Sequence, residues 1–271
     1  MNQTYRMIAL VGFAISILAG APVRVQAQQA TGEVTVIAQP EKATTAVDLY
    51  NRGVDQLNGG NYQEAIANFN QALELNPNDA DTYYNRGYAH HTLGKYEKAI
   101  ADYTEAIRLN PKFPQAYSNR GYTYFVLKKY QQAIDDTTKS IELKNDNDNA
   151  YISRGNAYDE LGKSDAALAD YDKALSINPN SARAYYNRGL TRNRLEEHET
   201  AIQDYSEAIR LQPDYAEAYY NRGLSRYKLN NHQEAVEDLQ KAADLFKKNG
   251  RTENYQSAME VIKTIQELQR S

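Results

Sequence analysis

The sequence predicts an all-α solenoid built from repeated antiparallel helix hairpins and closed by a C-terminal capping helix. Six glycines, Gly53, Gly87, Gly121, Gly155, Gly189 and Gly223, recur every 34 residues without insertion or deletion, each directly after an arginine. Inside one unit, Tyr96, Ala99, Ile100, Tyr103, Ala106 and Ile107 fall at three- and four-residue steps, which places them on one stripe of a helix. The stretch from Ala80 to Leu93 forms the preceding helix, with Gly94-Lys95 as the turn between the two. Asn110-Pro111 ends the second helix, because proline lacks an amide hydrogen and disfavours helix in the residue before it. A lone hairpin cannot bury both of its faces, so stability has to come from stacking.

Taken in chain order, the first element is an address. Residues 1–27 combine a short polar start with Arg6, an apolar run from Met7 to Ala21, and a small-residue site at Val25-Gln26-Ala27. This is the layout of a secretory signal peptide. The run is shorter than the roughly twenty residues a helix needs to cross a bilayer, which favours cleavage over an uncleaved anchor. Cleavage would remove Arg6 and Arg24 and no acid, leaving the mature chain more acidic. Residues 28–45, rich in Gln, Thr and Ala, read as a linker.

Six units follow at 46–79, 80–113, 114–147, 148–181, 182–215 and 216–249. In the third and fourth, Thr137, Ser140, Asn145 and Ser164 break the pattern, and a looser or specialised middle of the array is expected. Asn249-Gly250 stops the last unit, and residues 250–271 supply the end helix. Tyr255, Ala258, Met259, Ile262 and Ile265 make its single apolar stripe, which suits a cap with a polar outer surface.

Composition excludes several classes of function. The 271 residues carry a net charge of -4 and no cysteine. Nucleic-acid backbone binding needs clustered basic residues, so no nucleic-acid partner is expected. Disulfides and thiolate chemistry are absent. His90, His91, His198 and His232 are too dispersed for a metal site. The run from Lys144 to Ala150 has the look of a calcium loop, but Tyr151 stands where its Gly is needed and Ala157 where its Glu is needed. No nucleophile lies beside a base, so neither enzymatic activity nor a cofactor is expected.

Tyr83, Gly87, Tyr96, Ala99, Tyr103 and Pro111, repeated in phase over 46–249, resemble the tetratricopeptide repeat. The resemblance implies a right-handed superhelix whose first helices line a concave face, and a non-catalytic scaffold for a protein or peptide partner. Physically, Gly87 and Ala99 allow close approach of the two helices, while Tyr83 and Tyr103 are expected to fill gaps between neighbouring hairpins. Family members that grip a chaperone's C-terminal carboxylate use lysines on their first helices. Tyr50, Tyr84, Ser118, Ile152, Tyr186 and Tyr220 hold those stations here, so that activity is not expected.

The family usually places Leu before the Gly, whereas here it is Arg52, Arg86, Arg120, Arg154, Arg188 and Arg222. Sixteen residues later stand Asn68, Asp102, Asp136, Asp170, Asp204 and Asp238, which suggests a guanidinium–carboxylate pair inside each hairpin, the alternative being an arginine row that binds a ligand. Before each arginine lie Asn51, Asn85, Asn119, Asn187 and Asn221, with Ser153 interrupting. Such a column can bond the main chain of an extended peptide, or it can serve repeat packing. Tyr84, Tyr88, His91, Tyr122, Phe125, Tyr186, Tyr220 and Tyr227 would add stacking surface to the groove, while Arg183, Arg192, Arg194, Arg226 and Lys228 could attract an acidic segment. The functional expectation is an exported scaffold, periplasmic or secreted, that aids assembly of an envelope or membrane complex. Its alternative is a membrane-anchored assembly factor, for instance of a photosynthetic membrane, held through the N-terminal segment.

Overall fold

The structure is a computed structural model and describes residues 44–269. The signal segment 1–27 lies outside the described residues, as does the linker 28–45 but for its last two positions.

Among the described residues there are thirteen helices and no strand. Twelve pair as hairpins: α1 (Ala46–Asn58) with α2 (Tyr62–Leu75), α3 (Ala80–Thr92) with α4 (Tyr96–Leu109), α5 (Pro114–Val126) with α6 (Tyr130–Leu143), α7 (Asp148–Glu160) with α8 (Ser164–Ile177), α9 (Ala182–Arg194) with α10 (His198–Leu211), and α11 (Ala216–Lys228) with α12 (His232–Lys248). The last helix, α13 (Thr252–Leu268), packs on α12. The second helix of each hairpin also packs against the first helix of the next, so the hairpins stack as a solenoid.

Proline sets where most second helices stop. Asn76-Pro77, Asn110-Pro111, Asn178-Pro179 and Gln212-Pro213 end α2, α4, α8 and α10 after 14 residues. The corresponding station of the last hairpin is Lys247, and α12 continues to 17 residues before Gly250, at φ 69°, ends it. The third hairpin has Asn145 instead of proline, yet α6 also stops after 14 residues. There Asn147 caps the next helix through the Asn149 amide, 3.1 Å away.

Glycine provides the closest approach within a hairpin. A Cβ on Gly87 would lie 2.9 Å from the Tyr103 ring and 3.1 Å from Asp102 Cβ. Tyr103 therefore fills the space left by the glycine of its own hairpin and also meets Asn119 of the next one. Tyr83 has a different role, lying beneath the Arg86 guanidinium with 5.3 Å from Cζ to ring centroid. In α6 the two buried hydroxyls are satisfied: Thr137 Oγ1 donates to the Ala133 carbonyl at 2.6 Å and Ser140 Oγ to the Pro114 carbonyl at 2.8 Å.

The first hairpin is finished as an end. Two stations of the first helix are buried small residues in every later hairpin, Thr82, Ala116, Ala150, Ala184 and Ala218 at one and Ala89, Thr123, Ala157, Thr191 and Ser225 at the other. In α1 these stations are Asp48 and Asp55, both exposed. A carboxylate at such a place disfavours stacking of a further hairpin.

Each turn inside a hairpin requires one left-handed residue. Gly60, Gly94 and Gly162 provide it at φ 79°, 72° and 72°, whereas Lys128, Glu196 and Asn230 adopt it at 60°, 63° and 62°. A side chain costs energy in this conformation because Cβ approaches the following carbonyl oxygen. Replacement of Lys128 by Gly is expected to raise stability by about 0.5–1 kcal/mol, after offsetting the greater freedom of an unfolded glycine. A urea midpoint that stays level or falls in Lys128→Gly would contradict this.

Candidate interaction surface

The arginine before each repeat glycine organises the surface. Arg120 donates from Nε and Nη2 to Asp136 at 2.7 and 2.8 Å, and from Nη1 to Thr104 Oγ1 of the preceding hairpin at 2.9 Å. Tyr117 lies one helical turn before it, with its ring centroid 5.7 Å from Arg120 Cζ. Arg86, Arg154, Arg188 and Arg222 repeat the arrangement with Asp102, Asp170, Asp204 and Asp238. Their third arms reach back to Asn70, Thr138, Asp172 and Ser206. These arginines thus tie one hairpin to the previous one as well as pairing inside it. In the first hairpin Asn68 Nδ2 donates instead to the Glu64 carbonyl at 2.9 Å, and Arg52 is exposed.

A second ladder uses the asparagines. Asn85, Asn119 and Asn221 each donate from Nδ2 to the hydroxyl of Tyr50, Tyr84 and Tyr186, every one at 3.1 Å and one hairpin earlier. Asn187 would face Ile152, which has no hydroxyl, and donates to Asn156 Oδ1 at 2.8 Å. Where Ser153 interrupts the asparagines, the facing residue is Ser118. Asn51, in the first hairpin, is exposed. The amide donors of the asparagine row are thus occupied in packing, while the bonds named here leave the side-chain oxygens of Asn85, Asn119 and Asn221 as acceptors.

A third set of pairs differs at every junction. His91 Nδ1 lies 2.9 Å from Thr123 Oγ1, Thr191 bonds Asp159, and Ser225 Oγ donates to Asn193 Oδ1 at 2.9 Å. At the junction between these polar pairs, the corresponding residues are Phe125 and Ala157, which pack together in one apolar cluster. Sequence reasoning missed these matches. Comparing residues 32 apart in adjacent units would have revealed polar set against polar and ring against methyl.

The aromatic residues divide by environment. Tyr84 packs against Tyr103 and Phe113, with centroids 6.0 and 4.9 Å away, and burial pushes its hydroxyl up to about 12. Phe125 is buried, as is Tyr186 against Tyr205 and Tyr215. Tyr88 and Tyr122 are half-buried, and Tyr122 stands 5.4 Å from the His91 ring. Burial lowers the His91 pKa, favouring the neutral ring.

Four of the five basic residues assigned to an acidic segment have partners inside the chain. Arg192 pairs with Asp204 at 2.8 Å, Arg226 with Asp238 at 2.7 Å and Arg194 with Asp159 at 2.7 Å, while Arg183 bonds Asn149. Lys228 is exposed and in no ion pair among the described residues. Among those residues there is also no metal-holding cluster of His, Cys, Asp and Glu, and no helix long and apolar enough to cross a membrane.

The comparisons agree on the kind of chain this is. A family model described as TPR repeat matches residues 57–94, 155–195 and 192–230, and one described as tetratricopeptide repeat matches 80–113, 114–147 and 216–249. No curated protein matches. Among solved structures, YrrB, described as a TPR protein with an unusual peptide-binding site, is 26% identical with a TM-score of 0.54, covering 65% of this chain and 91% of that chain. MamA is 27% identical with a TM-score of 0.56, covering 61% of this chain and 96% of its own. A tetratricopeptide repeat protein from Parabacteroides merdae shares the fold at 23% identity and a TM-score of 0.64, covering 82% of this chain and 87% of that one.

Two expectations concern the ladders. Asp136→Ala strands a largely buried Arg120 guanidinium and should cost about 2–4 kcal/mol, with part of the loss recovered in Arg120→Leu/Asp136→Ala. Denaturant midpoints of the three chains check this, and an unchanged midpoint in the single variant would refute it. Among the buried tyrosines, Tyr171 donates to Asn156 at 2.8 Å, whereas the Tyr205 hydroxyl has no hydrogen-bond partner among the described residues. Tyr205→Phe is therefore expected to leave stability level or raise it, and Tyr171→Phe to lower it by about 1 kcal/mol. Equal losses in the two variants would show that the hydroxyls are equivalent.

Proposed function

The chain belongs to the tetratricopeptide repeat family, and from that premise we propose that it is an exported, non-catalytic scaffold. It holds an extended segment of a partner protein along the face formed by its first helices and aids assembly of an envelope or membrane complex. The observation that carries the reading is the unbroken 34-residue register, which sets equivalent side chains of six first helices in a row. A protein built this way offers many small contacts along a line, as an extended chain requires.

The acceptor oxygens of Asn85, Asn119 and Asn221 suit the amide hydrogens of such a segment, with Tyr88 and Tyr122 providing apolar contact. YrrB, a relative with a described peptide-binding site, supports the same class of partner. Export is supported by the three-part layout of residues 1–27.

Two measurements test the proposal. The intact mass of the chain recovered from an envelope fraction is expected to correspond to a start at Gln28, and a mass retaining residues 1–27 would favour the membrane-anchored alternative. Crosslinked partners of the intact chain should be lost from Asn85→Ala/Asn119→Ala/Asn221→Ala, with Asn85→Asp and Asn119→Asp, which keep an acceptor oxygen, retaining them better. Because these amides also serve packing, only variants still helical by circular dichroism are compared. The same partners on both chains would end the groove assignment.

A further inference from the structure

A cavity of about 590 Å³ opens at the C-terminal end of the array, walled by the end of α9, the turn after it, α11 and α13. Leu224, Val261 and Ile265 give it an apolar lining, and Arg194, Lys228 and Glu196 bring charges to the same space. Its existence depends on α13: a seventh hairpin would bring a different first helix, whereas the cap presents Val261 and Ile265.

The charges have capacity left over. Arg194 uses Nη1 for both the Asp159 carboxylate and the Asp159 carbonyl, at 2.7 and 3.1 Å, and its side chain remains 53% exposed. Lys228 is exposed and makes no ion pair among the described residues, although Glu196 lines the same cavity. Glu196 itself occupies the left-handed turn station at φ 63°, where three other hairpins place glycine.

We infer that this cavity is a side-chain pocket for an extended peptide, taking an aliphatic residue flanked by an acidic residue toward Lys228 and Arg194 and by a basic residue toward Glu196. The inference rests on the peptide-binding reading above and assigns it a recognition element. The aliphatic group displaces water from Leu224 and Val261, and the flanking charges meet Lys228 and Glu196, which have no ion-pair partner among the described residues. Charges of both signs in one lining favour one order of flanking charges over its reverse.

The test uses the full repeat-containing chain and two fluorescein-labelled peptides, Ser-Gly-Ser-Lys-Leu-Asp-Ser-Gly-Ser and the same order with Lys and Asp exchanged. Controls replace Leu by Ser or Asp by Lys. Anisotropy titrations at low salt are expected to show one order binding about tenfold tighter than its reverse and than both controls. Lys228→Glu should remove that preference, and the Asp-to-Lys control should then bind better to Lys228→Glu than to the unaltered chain. Equal binding of all peptides, or indifference to Lys228→Glu, overturns the pocket. Loss of crosslinked partners on asparagine substitution with no peptide preference leaves the groove standing without the pocket, and the converse leaves the pocket without the groove.

Discussion

The structure depends on one side chain used five times. An arginine such as Arg120 sits on the first helix of its hairpin, grips the second helix through Asp136 and holds the preceding hairpin through Thr104. Three directions leave one planar group, so the angle between the helices and the offset between hairpins are fixed together. The net stabilisation from such pairs is small, since both charges lose water, but removing one member leaves the other stranded. The arginines therefore specify geometry more than they add stability, and the aromatic and alanine core supplies the favourable burial beneath them.

Binding inherits that geometry. Tyr84 and Tyr186 serve in the packing between hairpins, and the amide donors of Asn119 and Asn221 point to them. The proposed groove is thus made from the outer remainder of residues whose larger part is structural. Substitutions there disturb packing and recognition at once, and discrimination between the two requires replacements that keep one hydrogen-bonding atom and remove another.

The repeated hairpin was legible because its signals are strong and local: a glycine against a ring, and proline at the end of the second helix. The Arg and Asp columns could also be seen, since each keeps its residue type through five units. The third arm of the arginine could not, because Asn70, Thr104, Thr138, Asp172 and Ser206 share only the ability to accept a hydrogen bond. Lys128 and Glu196 likewise carry no sign of left-handed backbone in their own residue types, and only the register, which sets them at the station of Gly60, Gly94 and Gly162, gives it. Both features come from the stack imposing a common geometry on chemically different residues. The ends followed the same logic, with Asp48 and Asp55 visible as charges but their meaning set by the buried Ala and Thr of later units.

The junction pairs bear on how such a gene can change. A uniform 34-residue period invites unequal crossing-over, which would remove one unit and keep the reading frame. Loss of residues 148–181 would set Phe125 against Thr191 and Ser118 against Asn187, in place of Phe125 with Ala157 and Asp159 with Thr191. A hydroxyl matched to a carboxylate would then face a phenyl ring. The six units look interchangeable as text, but their edges are keyed, and the key gives the order of the copies a selective value of its own.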